Sequence, residues 1–165
     1  MRQSRRLAVA LAAATSLIPL FLVPSASAES PTQQRADHLC GQPVGSARQA
    51  HGCITNNTDE DLELVSTELV HGDWASYPPQ TIKAHESGSW VGRSHLELTG
   101  SHIRARYRTA SGWVGNFEVG IVYLGDRCWH SWWLEGGSTD AYAVNTEQEA
   151  RCAAMIQARF TIDKK

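Results

Sequence analysis

The stretch ITNNTDEDLELVSTELVHGDWASYPPQTIKAHESGSW, residues 54–90, has the pattern of a turn, a strand and a sharp corner. Over residues 62–70 apolar and polar side chains alternate, although imperfectly, as in a strand with one buried face. The corner is His71-Gly72-Asp73-Trp74, and Pro78-Pro79 follows it. The stretch contains no catalytic signature. It predicts a β framework with aromatic side chains at its bends, which is typical of proteins that work through a surface.

Short strand patterns recur along the rest of the chain, separated by turn signals. They cover residues 82–83, 89–92, 102–109, 112–114, 117–124, 141–144 and 158–162. Several short strands at about 8–12-residue spacing predict an all-β, single-domain sandwich or barrel. One short helix is expected over residues 146–156, because Thr146 and Glu149 form a capping-box pattern and alanines follow.

The first 28 residues have the features of a cleaved secretory signal peptide. A basic start and an apolar run over residues 7–23 lead to the small-residue cleavage signature Ala26-Ser27-Ala28. Cleavage there leaves 137 of the 165 residues, a length that suits one domain. Residues 29–52 are polar and are expected to form an N-terminal arm, followed by a β-sandwich domain over 53–165. We therefore expect a secreted, extracellular protein.

The charge balance bears on the class of partner. The leader holds three arginines and no acidic residue, so 12 basic residues remain against 17 acidic ones, a net charge of −5. Nucleic-acid binding is not expected, because it needs a clustered basic surface. The one basic stripe, Arg104, Arg106 and Arg108, shares one face if this segment is a strand. A solvated sheet face and a contact with anionic lipid head-groups are both open interpretations.

Four cysteines remain after export, an even number that predicts disulfides in an oxidising compartment. Of three possible connectivities, sequence proximity favours Cys40–Cys53 and Cys128–Cys152, each worth roughly 3 kcal/mol in the chain-entropy description. No cysteine pair has CxxC spacing, and no histidine lies at a zinc-finger interval from a cysteine. We therefore expect neither a metal site nor a cofactor.

The seven histidines raise the question of catalysis. None forms an HExxH motif, and no serine lies in a GxSxG elbow. A small hydrolase that uses His71 or His130 with Asp73 or Asp126 stays open as an alternative. His71 and Asp73 are expected instead to be structural corner residues, with the His71 imidazole bonding backbone. The acidic run over residues 59–63 lacks the glycine and distal glutamate of a calcium loop, so a solvated turn is expected.

The large aromatic side chains are the strongest candidates for ligand-binding residues. Neighbouring strand residues point to opposite faces, so at least one of Trp132 and Trp133 should face outward, whereas Trp90 and Trp113 are expected in the core. Rings with an apolar body and a polar end suit a membrane interface, a sugar face or a protein contact. The expected ligand-binding residues are Trp74, Tyr77, Trp129, Trp132, Trp133, Arg104, Arg106 and Arg108.

Several motifs of residues 54–107 resemble bacterial aegerolysin-type proteins. They are Asn56-Asn57-Thr58, the 62–70 strand, His71-Gly72-Asp73-Trp74, Pro78-Pro79, Ile82, Ser87-Gly88-Ser89-Trp90, Leu98-Thr99-Gly100-Ser101 and Arg104-Ala105-Arg106-Tyr107. The resemblance implies a compact, actinoporin-like β-sandwich that recognises membrane lipids and is not an enzyme. Some members act with a separate pore-forming protein, so such a partner is a further expectation.

Residue by residue, the resemblance points to His71, Asp73, Trp74 and Trp90. The second half departs from the family pattern, since it lacks a Trp-Asp-x-Pro-like strand end. Residues 128–152 have the character of a segment added to that pattern. The leading hypothesis is a secreted, disulfide-stabilised β-sandwich that binds a membrane lipid surface through exposed aromatic loops. A protein-binding module such as a protease inhibitor, a lectin and a small hydrolase are the alternatives.

Overall fold

Ten β-strands and one turn of 3₁₀ helix make up the secondary structure of the described chain. The computed structural model describes residues 39–43, 45, 47–95, 99–122 and 127–165, so the predicted signal peptide lies outside them. The elements are β1 (Gln49–Asn57), β2 (Leu62–His71), β3 (Asp73–Ser76), β4 (Thr81–Ile82), β5 (Ser87–Arg93), β6 (Ser101–Arg108), β7 (Val114–Val122), β8 (Arg127–Glu135), the 3₁₀ turn Thr139–Ala141, β9 (Tyr142–Arg151) and β10 (Met155–Lys164).

The strands form two five-stranded sheets that pack face to face. The first sheet has the order β3-β5-β1-β10-β9 and the second the order β4-β2-β6-β7-β8. Neighbouring strands are antiparallel except β1 and β10, which pair in parallel from Gln49 opposite Met155 to Asn57 opposite Asp163. This architecture confirms the predicted all-β sandwich.

One core fills the space between the sheets. Phe117 of the second sheet and Phe160 of the first have ring centroids 5.1 Å apart, and Trp90 and Tyr107 make a similar contact at 6.3 Å. Trp90 and Trp113 are fully buried, as expected from the sequence. Inward-facing rings from both sheets therefore provide the apolar burial that holds the sandwich together.

Both predicted disulfides are present. Cys40–Cys53 ties the segment before β1 to that strand, with Cα atoms 5.5 Å apart. Cys128–Cys152 has a Cα separation of 5.3 Å and joins β8 to the turn between β9 and β10. Because β8 and β9 end their respective sheets, this second bond fastens the two sheets together along one margin.

The predicted helix over residues 146–156 is wrong. This segment contains most of β9, the turn Cys152–Ala154 and the start of β10, and β9 pairs with β10 over ten residue pairs. The capping-box pattern and the alanines are local signals of modest weight, whereas the antiparallel ladder satisfies the backbone of the whole segment. Tertiary pairing overrides the local preference.

Two strand boundaries also differ from expectation. β1 begins at Gln49, inside the polar segment expected to be an arm, and β7 is one continuous strand where two short strands were expected. The start of β1 is polar because Gln49 and His51 are buried together, with His51 Nε2 2.7 Å from Gln49 Oε1. A buried hydrogen-bonded pair does not produce the apolar alternation by which strands are recognised in sequence.

Removing the Phe117 ring should weaken the sandwich strongly. We expect Phe117→Ala to lower the free energy of unfolding by about 3–5 kcal/mol, because the ring bridges the two sheets and its removal leaves a cavity. The control Val65→Ala removes methyl groups at a position that is 44% exposed and should change stability by less than about 0.5 kcal/mol. Urea unfolding followed by tryptophan fluorescence measures both values, and equal effects would contradict the assigned core.

Candidate functional site

The strongest candidate for a binding surface is the outer face of the second sheet at its edge strand β8. Alternate β8 residues point away from the core, and the register places Trp129 opposite Gly120 and Ser131 opposite Glu118 of β7. The next outward residue, Trp133, follows on the same face. We call Trp129, Ser131, Trp133, Glu118, His102 and Arg104 the β8 outer face.

Glu118 lies at the centre of this surface. Ser131 Oγ donates to Glu118 Oε2 at 2.7 Å, Arg104 Nη2 donates to Oε1 at 2.9 Å, and His102 Nε2 also contacts Oε1. Only 13% of the Glu118 side chain is exposed, which is low for a carboxylate on an outer sheet face. Burial raises the pKa of this carboxyl, but the hydrogen bonds from Ser131, Arg104 and His102 outweigh burial and hold the pKa below its ordinary value. Glu118 is therefore an ionised anchor for three side chains.

Two of these side chains touch the tryptophan rings. The His102 and Trp129 rings meet edge to face with centroids 5.2 Å apart, and the Arg104 guanidinium carbon lies 5.8 Å from the centroid of Trp133. Trp129 packs onto Gly120, where an added Cβ would lie 2.3 Å from the indole. Glu118 thus supports both rings indirectly. It bonds His102, which contacts Trp129, and Arg104, which contacts Trp133.

The predicted arginine stripe does share one face of β6, but its charges are paired. Each guanidinium contacts a carboxylate on another strand of the sheet, and for Arg104 and Arg108 that strand is a direct neighbour, as expected for cross-strand pairs of opposite charge. The pairs are Arg104 with Glu68 and Glu118, Arg106 with Glu135, and Arg108 with Glu63 at 2.9 Å. Three guanidinium groups therefore face four carboxylates, and the stripe is not a cationic surface.

Trp132 and Trp133 place indole rings on both sides of β8. Their exposed fractions are 39% and 40%, so both members of the pair face solvent in part. Trp133 lies on the outer face, whereas Trp132 is in register with the core residue Phe117. Trp132 stays exposed because β8 ends its sheet and no further strand covers the ring. The edge therefore presents aromatic surface in two directions.

Trp74 and Tyr77 lie at the opposite margin of the sandwich, on and just after β3, which is the far edge of the first sheet. Their rings stack with centroids 5.3 Å apart. Trp74 is half-buried against the core, whereas Tyr77 is 69% exposed. The sequence-predicted aromatic set is thus divided between two edges, and on this side Tyr77 is the ring presented to solvent.

The corner after β2 is made by Gly72, whose φ of +96° and close approach to the Arg93 carbonyl favour glycine. Within the described ranges, no hydrogen bond links the exposed His71 side chain to this corner. Asp73 Oδ2 lies 2.8 Å from His95 Nδ1 on an exposed surface. His130 contacts Gln148 Oε1 at 2.7 Å on the far margin, and Asp126 lies outside the described residues. Among the described residues, Asp73 is therefore paired with His95 and not with either histidine of the hydrolase alternative.

The acidic run before β2 is occupied by local partners. Asp61 Oδ2 accepts from Lys83 Nζ at 2.7 Å, and Glu60 accepts from Tyr142 and from the Ser111 amide. Burial raises the pKa of Glu60, but these hydrogen bonds hold it below its ordinary value. For the part of the chain that the structure describes, no group of three or more candidate ligands could hold a metal ion. The same residues include no helix long and apolar enough to cross a membrane.

Glu118, His102 and Ser131 were not predicted from the sequence as members of a site. The alternation of Asn116, Glu118 and Gly120 would have placed Glu118 on the outer face if residues 114–122 had been treated as one strand. Its contacts could not have been inferred, since they come from β6 and β8 and depend on the register of both pairs.

Comparison with solved structures finds proteins that resemble this chain in fold. The crystal structure of the lipid-binding protein Nakanori matches with a TM-score of 0.59 and 10% sequence identity, covering 73% of each chain. The lectin XCL of Xerocomus chrysenteron matches with a TM-score of 0.43 and 9% identity, over 70% of this chain and 99% of that chain. No protein-family model matches the sequence, and no curated protein matches it. The Nakanori match shows that the two chains share a fold.

Glu118 should stabilise the protein in a pH-dependent way. Because its folded-state pKa lies below the ordinary value of 4.5, the ionised group stabilises the fold above about pH 4.5, and this contribution is lost as pH falls through the folded-state pKa. We expect Glu118→Gln to lower the free energy of unfolding by about 1–3 kcal/mol at neutral pH and by progressively less in acid. Urea unfolding of both proteins over a pH series measures this difference.

The matched control is Glu63→Gln, which removes a carboxylate from the exposed ion pair with Arg108. It should change stability by no more than about 1 kcal/mol at neutral pH. A difference between wild type and Glu118→Gln that is constant across the pH series would contradict the anchoring role of the charge.

Proposed function

We propose that this chain is a secreted, non-enzymatic binding protein that recognises a membrane lipid surface through the edge strand β8. The observation that carries the proposal is the exposure of two adjacent tryptophans, Trp132 and Trp133, on opposite faces of one edge strand. An edge-on approach would bring both rings to the surface of a bilayer at once. Trp129, on the same outer face as Trp133, extends this contact.

The chemistry of the edge supports a membrane interface. Natural edge strands are usually protected by charged side chains, whereas the middle of β8 carries three tryptophans in five residues. Exposed aromatic surface at such a position indicates a contact. Indole rings combine an apolar body with a polar N–H, which suits the boundary between head-groups and acyl chains.

The pairing of the arginines bears on the charge of the lipid surface that is bound. Arg104, Arg106 and Arg108 already meet carboxylates, so an anionic membrane would gain little attraction from them. We propose that they act chiefly by fixing the outer face, and that binding does not require an excess of anionic lipid. Arg104 also contacts Trp133, with its guanidinium carbon 5.8 Å from the ring centroid.

Tyr77 and Trp74 form a separate candidate contact. The edge strands of the first sheet, β3 and β9, are four strand spacings apart, which is about 19 Å. Because β9 is held beside β8, a similar distance separates the Tyr77 margin from the β8 margin. A flat bilayer approached edge-on from β8 would not reach Tyr77 at the same time. We therefore propose β8 as the primary contact and Tyr77, supported by Trp74, as a secondary one.

The extracellular location, the domain bounds and the partner protein belong to the same proposal. Two disulfides fit an extracellular protein, and we propose with them a cleaved leader over residues 1–28 and a β-sandwich domain that begins with β1 at Gln49, before the expected boundary at residue 53. The fold shared with the lipid-binding protein Nakanori and the aegerolysin-type motifs of residues 54–107 support lipid recognition. A pore-forming partner, as used by some aegerolysin-type proteins, is the extension of the proposal that rests on the resemblance alone.

Vesicle co-sedimentation tests the proposed contact. We expect Trp132→Ala and Trp133→Ala each to weaken binding to phosphatidylcholine vesicles by about tenfold or more, equivalent to ~1.4 kcal/mol, because each removes a ring that would be desolvated at the interface. The effect should be similar when phosphatidylserine is added to the vesicles.

Two variants serve as controls for this experiment. Val65→Ala removes an exposed apolar side chain on β2 and should leave binding unchanged, and Tyr77→Ala should have a smaller effect than either tryptophan variant. Loss of binding in Tyr77→Ala with full binding in both tryptophan variants would move the contact to the other edge of the sandwich.

A further inference from the structure

We infer that the β8 outer face, together with the adjoining Arg106, Asn116 and Glu135, recognises a neutral sugar ring, so that the lipid bound by this protein is a glycolipid with an uncharged carbohydrate head-group. The inference rests on the proposed function in one respect, since it takes the sugar to be presented by a membrane. It assigns different tasks to the two adjacent tryptophans. Trp133 on the outer face contacts the head-group, and Trp132 at the margin contacts the lipid.

The surroundings of Trp133 suit both the apolar C–H face of a pyranose and its hydroxyl groups. Its indole is 40% exposed and is supported by the Arg104 guanidinium, so it offers a positioned aromatic surface to the C–H face of a sugar. Glu135 and Arg106, 46% and 40% exposed, lie beside it, and Asn116 Nδ2 donates to Glu135 Oε1 at 3.2 Å. Sugar hydroxyls both donate and accept, so they can bond carboxylate and guanidinium groups alike.

These polar groups keep bonding capacity although they are paired with one another. A guanidinium has five N–H donors and a carboxylate about four acceptor positions, whereas Arg106 makes one hydrogen bond, to Glu135, among the described residues. The network also fixes the side chains before a ligand arrives, which reduces the ordering cost of binding. The surface is therefore organised for hydroxyl groups before it is occupied.

The charge balance argues against an anionic head-group at this place. Every arginine of the β6 stripe is paired with a carboxylate, so a phosphate or sulfate that bonded the remaining N–H groups of Arg104 or Arg106 would meet the negative charge of Glu118 or Glu135 unless it displaced that carboxylate. Arg127, at the start of β8, is six residues from Trp133, which is about 20 Å along a strand. A neutral hydroxyl-bearing ligand can join the network without displacing a charge.

The spacing of the rings argues against a quaternary ammonium head-group. Such groups are held by aromatic rings within about 6 Å of the cation. Trp129 and Trp133 are four residues apart on one strand, so their Cα atoms are separated by about 13 Å. Trp129 is moreover packed onto Gly120 with His102 at its edge, so it does not form the second wall of a cage with Trp133. A row of separated rings suits an extended glycan better.

A glycan array separates sugar recognition from membrane binding. The purified mature chain, Trp133→Ala and Trp132→Ala are applied to an array that contains neutral, sialylated and sulfated glycans. We expect wild type and Trp132→Ala to bind neutral glycans with similar affinity and Trp133→Ala to lose about tenfold or more. Trp132→Ala is a matched control because it removes an equally exposed indole from the other face of the same strand.

Vesicles of three compositions complete the test: phosphatidylcholine alone, with phosphatidylserine, and with galactosyl- and glucosylceramide. The inference predicts tightest binding to the glycolipid vesicles. Binding only to acidic glycans, binding to no glycan, or equal binding to all three vesicles would overturn it, and equal vesicle binding would leave the proposed lipid function standing. Binding to neutral glycans without binding to any vesicle would instead refute the lipid function and leave sugar recognition intact.

Discussion

The parallel pairing of β1 with β10 is the interaction on which the rest of the sandwich depends. It joins the first and last strands over nine residue pairs at the centre of the first sheet, where Ile54, Ile156 and Phe160 are fully buried. Because β10 is occupied by β1 on one side, β9 can pair with it only on the other, and β9 becomes an edge. The Cys128–Cys152 bond then holds that edge beside β8. The margin proposed to bind lipid is thus a consequence of how the chain ends meet.

The β8 margin is unusual because apolar exposure and charge pairing occur together. Trp132 and Trp133 would each gain stability from burial against a partner, whereas the carboxylate of Glu118 already has its partners within the fold. A rigid, charge-balanced support for exposed rings favours recognition by shape and desolvation over long-range attraction. This combination explains why the mild acidity of the chain does not conflict with a surface-binding role.

The sequence predicted the parts of the structure that depend on local patterns. The outward alternation of Arg104, Arg106 and Arg108, the burial of Trp90 and Trp113 and both disulfides could be inferred from spacing alone. The helix over residues 146–156 was predicted wrongly, since the alanine-rich pattern says nothing of a ladder with β10.

The candidate site was less accessible to sequence reasoning. Its tryptophans were found because adjacent rings on a strand cannot both be buried on one face. Glu118 was missed because its partners, Ser131, Arg104 and His102, come from two neighbouring strands, and their meeting depends on registers fixed by the whole sheet. The division of Trp74 and Tyr77 from the β8 rings is likewise a property of sheet order.

Amide hydrogen exchange with and without phosphatidylcholine vesicles containing galactosyl- and glucosylceramide tests the central claim most directly. Exchange reports protection along the backbone without altering a side chain. If β8 is the primary membrane contact, amides of residues 127–135 should exchange more slowly in the presence of vesicles, and those of residues 73–80 should be slowed much less. Protection of residues 73–80 with unchanged exchange in β8 would contradict the account.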